Sequence, residues 1–183
     1  VSCVLSGVKR CKVSPGDTVA IFGAGPIGLL MTQSMKNSGA NVIVSEIFPI
    51  RQALAEKLGA DLVINPAKED FVERVKKATD GRGADIVVDA VGSATLLEQA
   101  MKMVRSGGKV CLFGISPEEA EWRGLKPFEI TWREIEIFGS FIMTDTYIPA
   151  IQLLYNNKYD VDKIVTHTFG IEEILKGIEL AKS

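Results

Sequence analysis

Three glycines raise the first chemical question. Gly23, Gly25 and Gly28 stand in a G-x-G-x-x-G spacing within "TVAIFGAGPIGLLMTQ", residues 18–33. An apolar run of strand length enters them and a helix-like pattern leaves. In such a strand–turn–helix the first glycine permits the tight turn. The second lets a diphosphate approach the backbone, and the third lets helix and strand pack closely. Pro26 falls in the first helical turn, where its missing N–H costs little. The exposed N–H groups of that turn, aided by the helix dipole, form an anion site.

A carboxylate follows at a telling distance. "NVIVSE" ends in Glu46, 18 residues beyond Gly28. There it can accept the hydroxyls of an adenosine ribose and repel a 2′-phosphate, which predicts NAD rather than NADP. Arg51 is placed either to cover an adenine ring or to sit on the surface as an ordinary arginine. A glycine turn without a ligand is the plainer alternative; the flanking strand, helix and acid favour the cofactor.

Such a loop works only if strands and helices hold it. Strand-length apolar runs occur at 18–22, 41–45, 61–64, 85–90, 108–113 and 135–141. Amphipathic segments at about 26–38, 49–58, 69–79 and 94–105 separate the first five. The runs are continuously apolar rather than alternating, as in strands covered on both faces by helices. The order predicts an α/β fold: one doubly wound parallel sheet, a Rossmann fold, with helices on both faces. Residues 1–14 read as a lead-in helix. Residues 115–133, with Pro117, Trp122, Pro127 and Trp132, read as an irregular excursion. Helices at about 145–156 and 171–182 close the chain. A single domain over 1–183 is expected.

Composition bounds the function. The 183 residues are 46% hydrophobic and 24% charged, with a net charge of −2, as in a globular protein. The acidic balance argues against nucleic-acid binding, and no apolar run reaches the roughly 18 residues of a membrane span. Cys3, Cys11 and Cys111 cannot all pair and form no C-x-x-C unit, which predicts free thiols and a cytoplasmic location. With His167 as the single histidine, they are not expected to form a zinc site.

Taken together, "GDTVAIFGAGPIGLL", "VIVSE…R…A…LGAD", "DIVVDAVG", "SGGKVCLFG" and "VTHTF" resemble the cofactor domain of zinc-dependent medium-chain dehydrogenases. Within that family the sorbitol and butanediol dehydrogenase branch is the most similar. The resemblance implies an NAD-dependent alcohol or polyol dehydrogenase. Gly23 to Gly28, including Pro26 and the Ile27 amide, would hold the diphosphate. Glu46 and Arg51 would hold the adenosine end. Val91 and Gly92 would flank the nicotinamide-side ribose, and Phe113, Gly114 and Ile115 with Ser140, Phe141 and Ile142 would fix the nicotinamide. Strand 135–141 would pair two subunits into a homodimer or higher oligomer. The family's catalytic zinc ligands lie on a separate N-terminal domain, the acidic one falling just before Val1. Zinc is therefore implied for the intact enzyme, and turnover is not expected of this chain alone. Where the branch has polar substrate-facing residues, this chain has Ile142 and Met143. Two alternatives stay open: an S-adenosylmethionine-dependent methyltransferase, whose sheet usually closes with an antiparallel hairpin, and a non-catalytic dinucleotide-binding or scaffold domain.

Overall fold

The computed structural model describes residues 1–122, 124–142 and 145–182; Met143, named above with Ile142, lies outside them. Six strands form one sheet in the order β3-β2-β1-β4-β5-β6, every neighbouring pair parallel. They are β1 (Thr18–Phe22), β2 (Asn41–Ser45), β3 (Leu62–Ile64), β4 (Ala84–Asp89), β5 (Val104–Leu112) and β6 (Glu136–Gly139). The helices are α1 (Ser2–Cys11), α2 (Pro26–Asn37), α3 (Pro49–Lys57), α4 (Phe71–Ala78), α5 (Ala94–Met103), α6 (Pro127–Arg133), α7 (Tyr147–Tyr155) and α8 (Ile174–Lys182). The doubly wound expectation holds. The parallel β6 also removes the methyltransferase alternative, which expects an antiparallel closing strand.

Alternation along β1 divides the core. Val19 and Ile21 join Val4, Met31, Met35 and Ala55 beneath α1, α2 and α3. Ala20 and Phe22 face the other way, onto Phe71, Val75, Leu97 and Ala100 of α4 and α5. Phe22 meets Phe71 edge-to-face, with ring centroids 5.1 Å apart. All five residues of β1 are buried, which is why the run carries no polar alternation.

Register decides where the chemistry goes. Phe22 lies level with Ser45 and with Asp89, Asp89 with Leu112, and Leu112 with Gly139. Five strands thus end on one line. The residues that follow, Glu46, Gly23, Ala90, Phe113 and Ser140, form a continuous rim along the carboxyl edge. The chain reverses winding between β1 and β4, and ligands of open parallel sheets bind at such a switch point.

Two expectations need correction. The excursion at 115–133 contains α6, started by Pro127 and closed by Glu134 in the left-handed region. Its seven residues are too few for a helical period to show, and Phe128 and Trp132 are exposed while Ile130 packs inward. Arg133 anchors it, donating to the carbonyls of Met101 and Val104. The segment expected to be helical through 105 instead ends at Met103, because β5 begins at Val104. A register shift between Ala84 and Ile86 takes up the extra residues between Val104 and Lys109.

Candidate functional site

The glycine turn is shaped by three different constraints. Gly23 sits at φ 90°, a conformation L side chains rarely adopt, and its N–H reaches the Ser45 carbonyl at 2.8 Å. A Cβ on Gly28 would lie 2.0 Å from the Gly23 carbonyl oxygen, so helix α2 and the turn touch backbone to backbone. Gly25 differs. Its φ is −68° and a Cβ there would meet nothing within 4 Å. Neither backbone strain nor protein packing requires glycine at that position. It caps α2 without a side chain, with Pro26 in the first turn, and it borders an open cavity. The first N–H groups of α2 have no partners within the helix. This is a cradle that a side chain would fill, suited to a diphosphate.

Beside it lies a cavity of about 450 Å³ lined by Gly23, Gly25, Glu46, Phe48, Arg51 and Val91, among others. Glu46 is only 6% exposed. Its Oε2 accepts from the Ala24 N–H at 2.8 Å, and its Oε1 from Ile47 and Phe48 at 2.8 and 3.0 Å. The carboxylate therefore pins the glycine loop to the end of β2. With about four acceptor positions on a carboxylate, one stays open for a hydroxyl, fewer than both ribose hydroxyls require. Arg51 lies 4.9 Å over the Phe48 ring at the cavity wall. Val91 belongs to this same cavity, since a Cβ on Gly23 would strike its Cγ2 at 2.8 Å.

The rest of the expected set is spread along the rim. Gly92 and Gly114 touch backbone to backbone: a Cβ on Gly114 would fall 2.2 Å from the Gly92 nitrogen. Ile115 is exposed beside them, while the Phe113 ring turns inward beneath Gly7 of α1. Ser140 is buried, its N–H on the Leu112 carbonyl at 2.9 Å, and Phe141 and Ile142 are exposed beyond it. Phe113 to Ile115 and Ser140 to Ile142 do not line the Glu46 cavity.

One organising residue escaped the sequence reading. Asp89, 2% exposed, accepts from Val91 and Gly92 at 2.9 Å and from Ser93 at 3.3 Å, while its carbonyl accepts from Phe113 and Gly114. It joins the 91–93 turn to the 113–114 turn. An acid closing the apolar run "DIVVD" was the available signal. At the opposite edge of the sheet Asp85 binds the Thr18 N–H, Arg82 and Arg105. Burial raises its pKa, but these partners outweigh burial and hold the carboxyl below its usual range.

A metal fits poorly. Among the described residues no group of three His, Cys, Asp or Glu could hold one. Cys11 and Cys111 are buried together, the contact with Cys11 and burial pushing the Cys111 thiol up, whereas His167 is exposed beside Thr166. Nor, among the described residues, is any helix long and apolar enough to cross a membrane.

Residues 26–156 match the family described as zinc-binding dehydrogenase. The chain belongs to that family. It is 35% identical to the sorbitol dehydrogenase of Bacillus subtilis over 178 residues, 97% of this chain and 50% of that protein. A Sinorhizobium meliloti zinc-binding dehydrogenase bound to NADP superposes with a TM-score of 0.85 at 32% identity, covering 88% of this chain and 48% of the other. An Escherichia coli CFT073 alcohol dehydrogenase complexed with NADH gives 0.89 at 27% identity, covering 99% and 53%. The chain thus spans about half the length of the relatives it matches.

Proposed function

We propose that this chain is the NAD(H)-binding half of a zinc-dependent dehydrogenase acting on a small secondary alcohol or polyol. The observation that carries the reading is the side-chain-free space at Gly25 beside the buried carboxylate of Glu46. The α2 N-terminus and the Ile27 amide would take the diphosphate. The open acceptor position of Glu46 would take a ribose hydroxyl, and its charge would disfavour a 2′-phosphate. Phe48 and Arg51 would cover the adenine with Val91 opposite. Gly92, Phe113 to Ile115 and Ser140 to Ile142, further along the rim, would position the nicotinamide.

When bound, NAD would supply the hydride acceptor for oxidation of the alcohol. This chain's contribution would be binding and orientation; no cluster among the described residues fits zinc, so the Lewis acid would be held by other residues. The free β6 edge supports a homodimer, and three free thiols agree with a cytoplasmic location.

Calorimetric titration with NADH and NADPH tests the cofactor reading. NADH should bind more tightly, and Glu46→Ala should erode the preference by roughly 1–3 kcal/mol. Equal affinities, or tighter NADPH binding, overturn it.

A further inference from the structure

The cavity beside Glu46 is bounded by a side chain with no role assigned so far. Gln99 lies on α5, one turn beyond Leu96, half-buried and facing the cavity. Together with Pro66 it also lines the adjoining groove between α4 and α5, where Asp70, Lys76 and Lys102 stand. Gly23, Gly25 and Glu46 line only the first cavity. Pro66 and Gln99 therefore mark its limit on the side remote from the glycine turn. Between these ends the walls are largely apolar, with Ile47 and Phe48 on the β2 side and Val91 and Leu96 on the β4 side. The Gln99 amide has no hydrogen-bond partner among the described residues. A flat heteroaromatic base fits between such walls, and a free amide at the limit can read its edge.

We infer that Gln99 is a specificity-determining residue for the adenine of the cofactor. Its amide oxygen accepts from the exocyclic N6–H, and its amide N–H donates to a neighbouring ring nitrogen. The inference rests on the cofactor reading above, because the sequence diphosphate, ribose, base then runs from Gly25 past Glu46 to Gln99. Glu46 is occupied by three backbone N–H groups, Ser45 offers a single hydroxyl and Arg51 lies over Phe48, so Gln99 is the side-chain amide in this wall, with a donor and an acceptor on separate atoms. A glutamine merely solvated on a helix surface would be indifferent to the 6-amino group.

The experiment is a binding cycle on the 183-residue chain. NADH and its analogue carrying unsubstituted purine in place of adenine are titrated against wild type, Gln99→Met and Gln99→Leu, with thermal unfolding confirming that each variant folds. Wild type should prefer NADH by roughly three- to tenfold, the size of one neutral hydrogen-bond pair. Both variants should bind the two ligands within about twofold of each other and bind the purine analogue as wild type does. Retention of the full preference in a folded variant, or no preference in wild type, overturns the role of Gln99 alone. Failure of wild type to bind NADH overturns the cofactor reading and this inference with it.

Discussion

Two glycines of one motif separate ligand from fold. Gly28 is glycine because the Gly23 carbonyl occupies the place of its Cβ, 2.0 Å away. Gly25 is glycine although the protein puts nothing within 4 Å of that place. Gly28→Ala should therefore destabilise the domain by about 3 kcal/mol, the cost of forcing a group into a closed contact. Gly25→Ala should leave unfolding within about 1 kcal/mol of wild type and weaken NADH binding roughly tenfold or more. Denaturant melts and NADH titrations on both variants check this. Normal NADH affinity in Gly25→Ala would remove the diphosphate from this turn.

At the scale of elements, two aspartates work at opposite edges of β4. Asp89 arranges the turns at the carboxyl edge. Asp85 fastens β1, β5 and the α4–β4 loop at the amino edge, through the Thr18 N–H, Arg105 and Arg82. Its folded pKa lies below the ordinary 3.8. A depressed carboxylate contributes stability that is fully present above the unfolded pKa and lost as pH falls through the folded one. Wild type should thus exceed Asp85→Asn in stability at pH 6 to 7. The gap should narrow only as pH drops below about 4. Chemical denaturation of both proteins between pH 7 and pH 2.5 measures it. A gap that stays constant down to pH 2.5 would assign the effect to packing instead of charge.

For the whole molecule the open question is what covers β6, the last strand of the sheet. Ser140 donates its N–H inward to Leu112. Amide directions alternate along a strand, so Glu136 and Phe138 also donate toward β5, while Ile137 and Gly139 face the free edge. An uncovered edge of this kind invites a second copy, and a two-fold axis there would join two sheets into one. Ile137→Pro removes an outward N–H and spares the ladder to β5. Sedimentation at micromolar concentration should show wild-type dimers and a folded, monomeric variant. Dimers that survive the proline would move the contact to another surface, such as the exposed Ile148, Ile151, Leu175 and Ile178 of α7 and α8.

The elements legible in the sequence are those whose signal is local. Continuous apolar runs marked β1 and β2 to the residue because both faces of these strands are covered. The glycine spacing marked the turn because backbone conformation at Gly23 and close approach at Gly28 exclude other residues. Glu46 was legible as an acid at a strand end. That three backbone N–H groups already hold its carboxylate was not, because those donors come from two separate loops. Helix α6 was hidden because seven residues carry too little period to separate a partly buried Ile130 from its exposed neighbours. Asp89 and Gln99 look ordinary in the chain: an acid after a strand, an amide on a helix. Their positions became meaningful only when register aligned five strand ends and α5 brought Gln99 to the limit of the cavity. Local patterning determined the class of fold and the cofactor motif. Tertiary packing decided which side chains meet, since those contacts join residues distant in sequence that no periodicity relates.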